Sequence, residues 1–187
     1  MQRMAFFLDT RSLSAVDLRD VDGGNPGIGG TEYMFFLIAR YLSLKGRVAM
    51  YITRQGLFPD GIEYHVVGSL DEALDRFDEN GESIVVLRES EVLPNIKRLG
   101  SIQQKILVWA HNYSGHKTLK ACVRCPNIVR FICVSREQYE NLRDEAIFSK
   151  AGYPTYIMYA DAFDARVQSW ESTEERFMEF LKVRRLV

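Results

Sequence analysis

Short runs of apolar residues alternate with amphipathic segments along most of the chain. Almost every run places apolar side chains at successive positions, which is typical of strands buried on both faces of a parallel sheet. Seven strands are predicted, at residues 4–8, 48–53, 62–67, 83–88, 105–110, 128–134 and 155–159. Helical patterns at residues 31–45, 70–77, 90–99, 114–122 and 135–144 separate most of them. The alternation predicts an α/β fold with one doubly wound, mostly parallel sheet of about seven strands.

Polar residues before the helical patterns indicate where the helices begin. Ser69 precedes one helix and Glu72 follows three positions later, which is the capping-box arrangement. Thr31 is the expected N-cap of the helix at residues 31–45, with Glu32 in the first turn near the positive end of the helix dipole. Ser135 is the expected cap of the last of these helices.

The glycine-rich stretch at residues 23–32 is the strongest candidate for a binding function. It holds five of the thirteen glycines and lies between the first predicted strand and its helix. That arrangement places backbone N–H groups and a helix N-terminus against an anion, and glycine lets a phosphate approach closely. The dinucleotide and P-loop fingerprints do not fit, because the glycine spacing differs and no G-K-[ST] is present. A flexible surface loop leading into a helix remains the alternative interpretation.

Two other polar residues follow predicted strands, and ligands of doubly wound sheets bind beyond the carboxyl ends of the strands. His111 follows the fifth strand, and Ser135 follows the sixth. Together with the glycine-rich stretch, they indicate that the carboxyl edge of the sheet carries the function.

Composition and charge narrow the class of protein. Hydrophobic residues make up 47% of the chain and charged residues 26%, as in globular proteins with a substantial core. The formal net charge of -1 gives no reason to expect nucleic-acid binding. The N-terminus lacks a signal-peptide pattern and no apolar run is long enough to span a membrane. The sequence therefore predicts a cytoplasmic protein, with peripheral contact with the inner face of the membrane left open.

The three cysteines favour a reducing compartment, because an odd number without a secretory signal does not suggest a disulfide framework. Cys122 and Cys125 form a C-x-x-C pair, with His111 and His116 nearby. One such pair supplies half of a zinc site. We therefore expect two free thiols at a helix end and no bound metal, although a Cys/His site stays conceivable.

Four segments in order along the chain carry a family resemblance. Residues 27–32 read GIGGTE, and residues 107–111 form an apolar strand ending in His111. Residues 131–138 read FICVSREQ, and residues 156–164 read YIMYADAFD. These segments resemble, in turn, the G-G-[ST]-E loop, the strand ending in histidine, the serine-containing helix start and the linker strand of family 4 retaining glycosyltransferases. In the last segment, Ala-Asp stands where that family has Asn-Gly.

The resemblance implies one half of a GT-B fold, in which two Rossmann-like domains face each other across a cleft. The first domain takes the acceptor, and the second binds the sugar nucleotide through basic residues and an E-x7-E segment. Residues 1–164 are expected to form the Rossmann-like acceptor-side domain. Residues 165–187 are expected to be a charged helical tail in place of the missing donor domain. Glu171 and Glu179 match the E-x7-E spacing, but their surroundings do not match the family.

The resemblance also implies roles for individual residues. Gly29, Gly30 and Thr31 would form the loop that approaches the donor phosphates and the transferred sugar, stabilising charge through backbone N–H groups. His111 would be the catalytic histidine, which hydrogen-bonds the donor sugar or the acceptor near the reacting carbon. A strand-end histidine bonded to the backbone is the alternative for this residue.

Acceptor contacts are expected from Asp9, Glu32 and Ser135, although capping of its helix explains Ser135 equally well. No cofactor is expected beyond the nucleotide-sugar donor as co-substrate, and no metal ligand is assigned.

The predicted function is the acceptor-binding half of a glycosyltransferase, which transfers sugar from a nucleotide-sugar to a glycan or lipid-linked acceptor of the cell-surface polysaccharide type. Alone, the chain is expected to transfer no sugar, so the sequence leaves open whether it is an enzyme. Its partner would be a separate donor-domain polypeptide, or a second copy bound through the C-terminal tail. The alternatives are a truncated remnant and a non-catalytic Rossmann-like module that binds a phosphorylated ligand or a partner protein.

Overall fold

The computed structural model describes residues 3–13, 15–111, 116–134, 136–143 and 156–159. The strands are β1 (Met4–Leu8), β2 (Val48–Ile52), β3 (Glu63–Val66), β4 (Ile84–Arg88), β5 (Lys105–Ala110), β6 (Ile128–Cys133) and β7 (Tyr156–Tyr159). The α-helices are α1 (Gly30–Ser43), α2 (Leu70–Glu79), α3 (Val92–Leu99), α4 (His116–Arg124) and α5 (Arg136–Arg143). Short 3₁₀ turns lie at Arg11–Leu13, Val21–Gly23 and Glu89–Glu91. The expected tail at residues 165–187 lies outside the described residues.

The chain divides into two compact units, Met1–Val86 and Leu87–Val187, and the boundary falls within β4. The strand order is β3-β2-β1-β4 for the strands that begin in the first unit and β5-β6-β7 in the second. The prediction of an α/β, Rossmann-like sheet of about seven strands is confirmed.

The first unit pairs its strands in parallel, with Met4 opposite Val48 and also opposite Ile84. Every residue of β1 and β2 is buried, as expected for continuous apolar runs covered on both faces. Helix α1 contributes a largely buried apolar side, on which Phe35 packs edge-on against Phe6 with ring centroids 5.9 Å apart.

The second unit also uses parallel pairs, β5 with β6 and β6 with β7. The β5–β6 register shifts between Ile106 and Leu107, where the ladder is irregular. Helices α3 and α4 pack beside each other. Asn127 ties the start of β6 to the preceding chain by donating to the carbonyl oxygens of Leu99 and Ile102, at 2.9 and 2.7 Å.

The segment between β1 and α1 is fastened to the first unit, although it contains only short 3₁₀ turns. Leu13, Leu18 and Val21 are buried within it. The Leu18 amide donates to the Leu57 carbonyl oxygen at 2.7 Å, next to an isolated parallel bridge between Asp17 and Leu57. In the glycine-rich part that follows, residues 22–27, 29 and 30 are exposed.

Over the described ranges, none of the helices combines the length and apolar character needed to cross a bilayer.

Candidate functional site

The start of α1 is built from glycine. Gly29 is the N-cap, and its carbonyl oxygen accepts the first helical hydrogen bond from the Tyr33 amide at 3.0 Å. The prediction that Thr31 caps this helix is therefore wrong, because Thr31 is already its second residue. Gly29 and Gly30 are exposed, and the cap position makes no side-chain hydrogen bond. The helix thus begins with backbone that its cap residue leaves uncovered.

Glu32 determines how much space lies beside that backbone. A Cβ on Gly29 would collide with the Glu32 carboxylate, so the carboxylate lies directly against this glycine. A Cβ on Gly30 would meet nothing within 4 Å. The carboxylate suits the positive end of the helix dipole, but it also opposes an anion on the Gly29 side. An approaching phosphate has open space on the Gly30 side.

Asn25 orders the glycine-rich stretch before the helix. Its Oδ1 accepts from the amides of Gly27 and Ile28, both at 2.9 Å, and its Nδ2 donates to the Ile28 carbonyl oxygen at 3.0 Å. Gly27 has φ +97, a conformation that side-chain-bearing residues rarely adopt. These two amides are therefore used within the loop, which leaves the amides of Gly29, Gly30 and Thr31 as those able to meet a ligand.

Asp9 lies at the end of β1 and already has partners. Its carboxylate accepts from the Arg11 guanidinium and from Thr53 Oγ1, the latter at 2.6 Å. The Arg11 hydrogen bonds hold the pKa of Asp9 well below its usual range. Neighbouring Thr10 exchanges hydrogen bonds with the Arg54 main chain at 2.7 and 2.9 Å, which fastens the ends of β1 and β2 together. An acceptor hydroxyl on Asp9 would have to share this network.

His111 follows β5 in the second unit, as the sequence predicted. Its amide donates to Glu89 Oε2 at 3.0 Å, and its ring lies 4.7 Å from that of Trp109. Burial, assisted by the positive charge of Arg88, lowers the pKa of His111 to about 4. The imidazole is therefore neutral near pH 7 and can donate at one nitrogen and accept at the other.

Glu89 is a site residue that the sequence reasoning missed. It follows β4 directly, is buried, and fixes the main chain of His111. A buried carboxylate needs hydrogen-bond partners, and the amide of His111 is one of them. The available signal was an acidic residue immediately after a buried strand, at the same sheet edge as the histidine.

The third predicted position, Ser135, lies outside the described residues. Beside it, the buried Gln138 side chain accepts from the Val134 amide at 2.9 Å. This hydrogen bond satisfies backbone at the end of β6 where α5 begins, and sequence reasoning gave it no role.

The cysteines are free and buried. Cys122 and Cys125 lie at the C-terminal end of α4, and Cys133 ends β6. Burial raises the pKa values of Cys122 and Cys133 to about 12, which keeps their thiols protonated at neutral pH. Within the described residues, no three histidine, cysteine or acidic side chains are grouped to hold a metal ion.

Comparison with known proteins does not assign the chain to a family. No family model matches the sequence, and no curated protein matches it significantly. A functional conclusion has to come from the residues at the carboxyl ends of the strands.

Proposed function

We propose that residues 1–164 are the acceptor-side domain of a GT-B glycosyltransferase similar to the retaining enzymes of family 4. The domain would take part in transfer of a sugar from a nucleotide-sugar to a glycan or lipid-linked acceptor. The observation that carries the proposal is the exposed glycine start of α1, directly after the loop that follows β1.

The chemistry of sugar transfer fits this helix start. As the bond between the sugar and the nucleoside diphosphate breaks, negative charge grows on the leaving phosphate. Backbone N–H groups at Gly29, Gly30 and Thr31 would stabilise that charge without reorganising, since they belong to the start of α1. The turn that Asn25 orders at Gly27 and Ile28 leads directly into this helix start. The open space beside Gly30 lets the phosphate approach the amides, and Glu32 restricts it to that side.

His111 supports the same proposal from the second unit. A neutral imidazole can hydrogen-bond a sugar hydroxyl in either direction, whereas an imidazolium can only donate. Because its pKa is lowered to about 4, His111 keeps this ability throughout the neutral range. Glu89 holds the main chain, and Trp109 lies against the ring, so the imidazole is positioned before substrate arrives.

The proposal assigns the base and ribose of the donor to a second Rossmann-like domain, located in the same polypeptide or in another one. Residues 1–187 alone are expected to bind the donor phosphate weakly and to transfer no sugar.

The decisive experiment is complementation of cells that lack this chain. Incorporation of labelled sugar from nucleotide donors into glycan and lipid fractions is measured in their extracts. We expect the wild-type chain to restore incorporation and His111→Ala to fail. His65→Ala is the matched control, since His65 lies on β3, and it should restore incorporation fully. Equal restoration by both variants would show that the reaction does not need the His111 side chain. Sugar transfer by the purified chain alone would contradict the half-enzyme proposal.

A binding measurement separates the enzyme part from the non-catalytic alternative. Nucleoside diphosphate is titrated into the labelled chain, and amide shifts are followed by NMR at Gly29, Gly30 and Thr31. The amides of Leu70 and Asp71 at the start of α2 serve as the reference. Shifts confined to α1, combined with unaltered complementation by His111→Ala, would favour a binding module for phosphorylated ligands.

A further inference from the structure

Positive charge is concentrated in one part of the chain. Residues 92–136 contain no aspartate or glutamate, although the whole chain has 25 acidic and 24 basic residues. The cations of this segment are Lys97, Arg98, Lys105, Lys117, Lys120, Arg124, Arg130 and Arg136. A segment so unbalanced inside a nearly neutral protein creates a local positive potential.

Helices α3 and α4 turn four of these cations towards solvent. On α4, Lys117, Lys120 and Arg124 are exposed and follow the spacing of one helical stripe. On the neighbouring α3, Lys97 is exposed one turn after the exposed Leu93. We call Lys97, Lys117, Lys120 and Arg124 the basic face.

A groove runs between the two helices of the basic face. Its volume is about 450 Å³, and Lys97 and Arg124 lie on it together with the apolar residues Ile96, Ala121 and Pro126. Within the described part of the chain, the four cations of the basic face form no ion pair. Their charge is therefore available to a partner.

Helix stability does not account for the whole basic face. Lys97 and Arg124 lie in the last turns of their helices, where a cation complements the negative end of the dipole. Lys117, in contrast, lies in the first turn of α4, near the positive end, and that turn contains no acidic residue. A cation there is unfavourable for the helix, so its placement points to something outside the helix.

We infer that the basic face binds the surface of a bilayer rich in anionic phospholipids. Phosphate headgroups complement the four cations, and the apolar groove and exposed Leu93 suit the boundary between headgroups and acyl chains. A polynucleotide fits less well, because the large exposed hydrophobic side chains of the described residues include no aromatic ring for base stacking. This inference goes beyond sugar transfer and does not depend on it.

The binding should be reversible and sensitive to salt. Four cations and one exposed leucine bind a membrane more weakly than a lipid anchor does, and stable membrane attachment generally needs two signals. Because screening shortens electrostatic attraction to about 8 Å at physiological ionic strength, raising the salt should release the protein.

The test is co-sedimentation of the full chain with vesicles. One vesicle preparation contains phosphatidylcholine alone, and the other contains about one third phosphatidylserine. We expect the wild-type chain to partition onto the anionic vesicles only, and to be released by 0.5 M salt. Simultaneous Lys97→Gln, Lys117→Gln, Lys120→Gln and Arg124→Gln should lower the partition coefficient on the order of a thousand-fold.

The matched control replaces exposed cations of the first unit and lowers the formal charge by the same four units. It combines Arg19→Gln, Lys45→Gln, Arg47→Gln and Arg54→Gln. This control should bind anionic vesicles as the wild type does, with unchanged circular dichroism in both variants. Equal loss in the control, equal binding to neutral vesicles, or tighter binding to a DNA duplex at the same salt would each overturn the inference. The salt titration of the wild type decides the matter if a variant does not fold.

Discussion

The starts of α1 and α2 lie in the same unit and carry glutamate at the same helical position, but they are completed differently. At α2, the Ser69 hydroxyl accepts from the Glu72 amide at 3.3 Å, and Glu72 Oε2 accepts from the Gly68 amide at 2.6 Å. At α1, the cap is Gly29, which has no side chain, and the Glu32 carboxylate lies against it. The cap residue of α1 therefore offers no side-chain acceptor to the first amides of its helix. At α2, two side chains accept hydrogen bonds from the amides at the helix start.

The difference between the two helix starts indicates where this fold has backbone amides that a ligand could reach. A capping box uses the orphan amides of the helix internally and stabilises it. Replacing the cap by glycine gives up little stability, since glycine caps cost only a few tenths of a kcal/mol relative to serine. In exchange, the amides remain reachable. The two helix starts are therefore a natural pair for separating binding from stability.

The largest effect is expected for Gly30→Ala. A Cβ there has open space, so the free energy of unfolding should stay constant or rise by up to about 1 kcal/mol. If the amides of α1 contact a phosphate, the same methyl blocks it, and complementation activity should fall about 100-fold. Thermal unfolding and labelled-sugar incorporation measure the two effects. A variant that loses stability together with activity would refute the separation.

A smaller loss is expected for Asn25→Ala, which removes the side chain that orders the amides before α1. Transfer should fall about tenfold, because the loop that leads into the Gly29, Gly30 and Thr31 amides is then no longer ordered before substrate binds. The global unfolding energy should change by less than about 1 kcal/mol, since Asn25 is exposed. Hydrogen exchange at Gly27 and Ile28 should become faster, and unchanged exchange would show that Asn25 does not order this loop.

Ser69→Ala tests the other side of the comparison. Removing the cap should lower the free energy of unfolding by about 1 kcal/mol, with no change in sugar incorporation. Denaturant unfolding measures the loss, and Ser43→Ala at the far end of α1 is a control of the same chemistry. An effect on incorporation would mean that α2 also belongs to the site.

The smallest change in stability is expected for Gly29→Ser, which gives α1 the cap residue of α2. The new Cβ meets only the end of the Glu32 side chain, which can move aside, so stability should change by a few tenths of a kcal/mol. The amide shifts caused by nucleoside diphosphate should nevertheless shrink at Gly30 and Thr31. Undiminished shifts would show that a capped α1 still accepts the ligand.

The same pair shows what the sequence could predict. The start of α2 is encoded by Ser69 and Glu72, and the structure confirms Ser69 as the cap. The Glu72 carboxylate bonds the amide of Gly68, one residue before the cap. The start of α1 was misplaced because threonine is a preferred cap, whereas a glycine cap looks like any other glycine of a loop. The strands were located correctly, since most of them are continuous apolar runs, which are a strong local signal. Strand β3 is the exception, because its residues are exposed or half-buried.

Features that depend on tertiary packing were not predictable in the same way. Leu13, Leu18 and Val21 anchor the long connection after β1, but their spacing follows neither helical nor strand periodicity. Glu89 has meaning only through its contact with the His111 amide, twenty-two positions away in sequence. Similarly, the lowered pKa of His111 results from burial, which local sequence does not record.

The burial of all three cysteines has a practical consequence. Thiolates are the species that react with maleimides, and two of these thiols stay protonated far above neutral pH. A single cysteine introduced on an exposed position should therefore be labelled selectively without removal of the native ones. A fluorophore placed at residue 120 on α4, or at residue 55 after β2, would report separately on each unit of the otherwise unmodified chain.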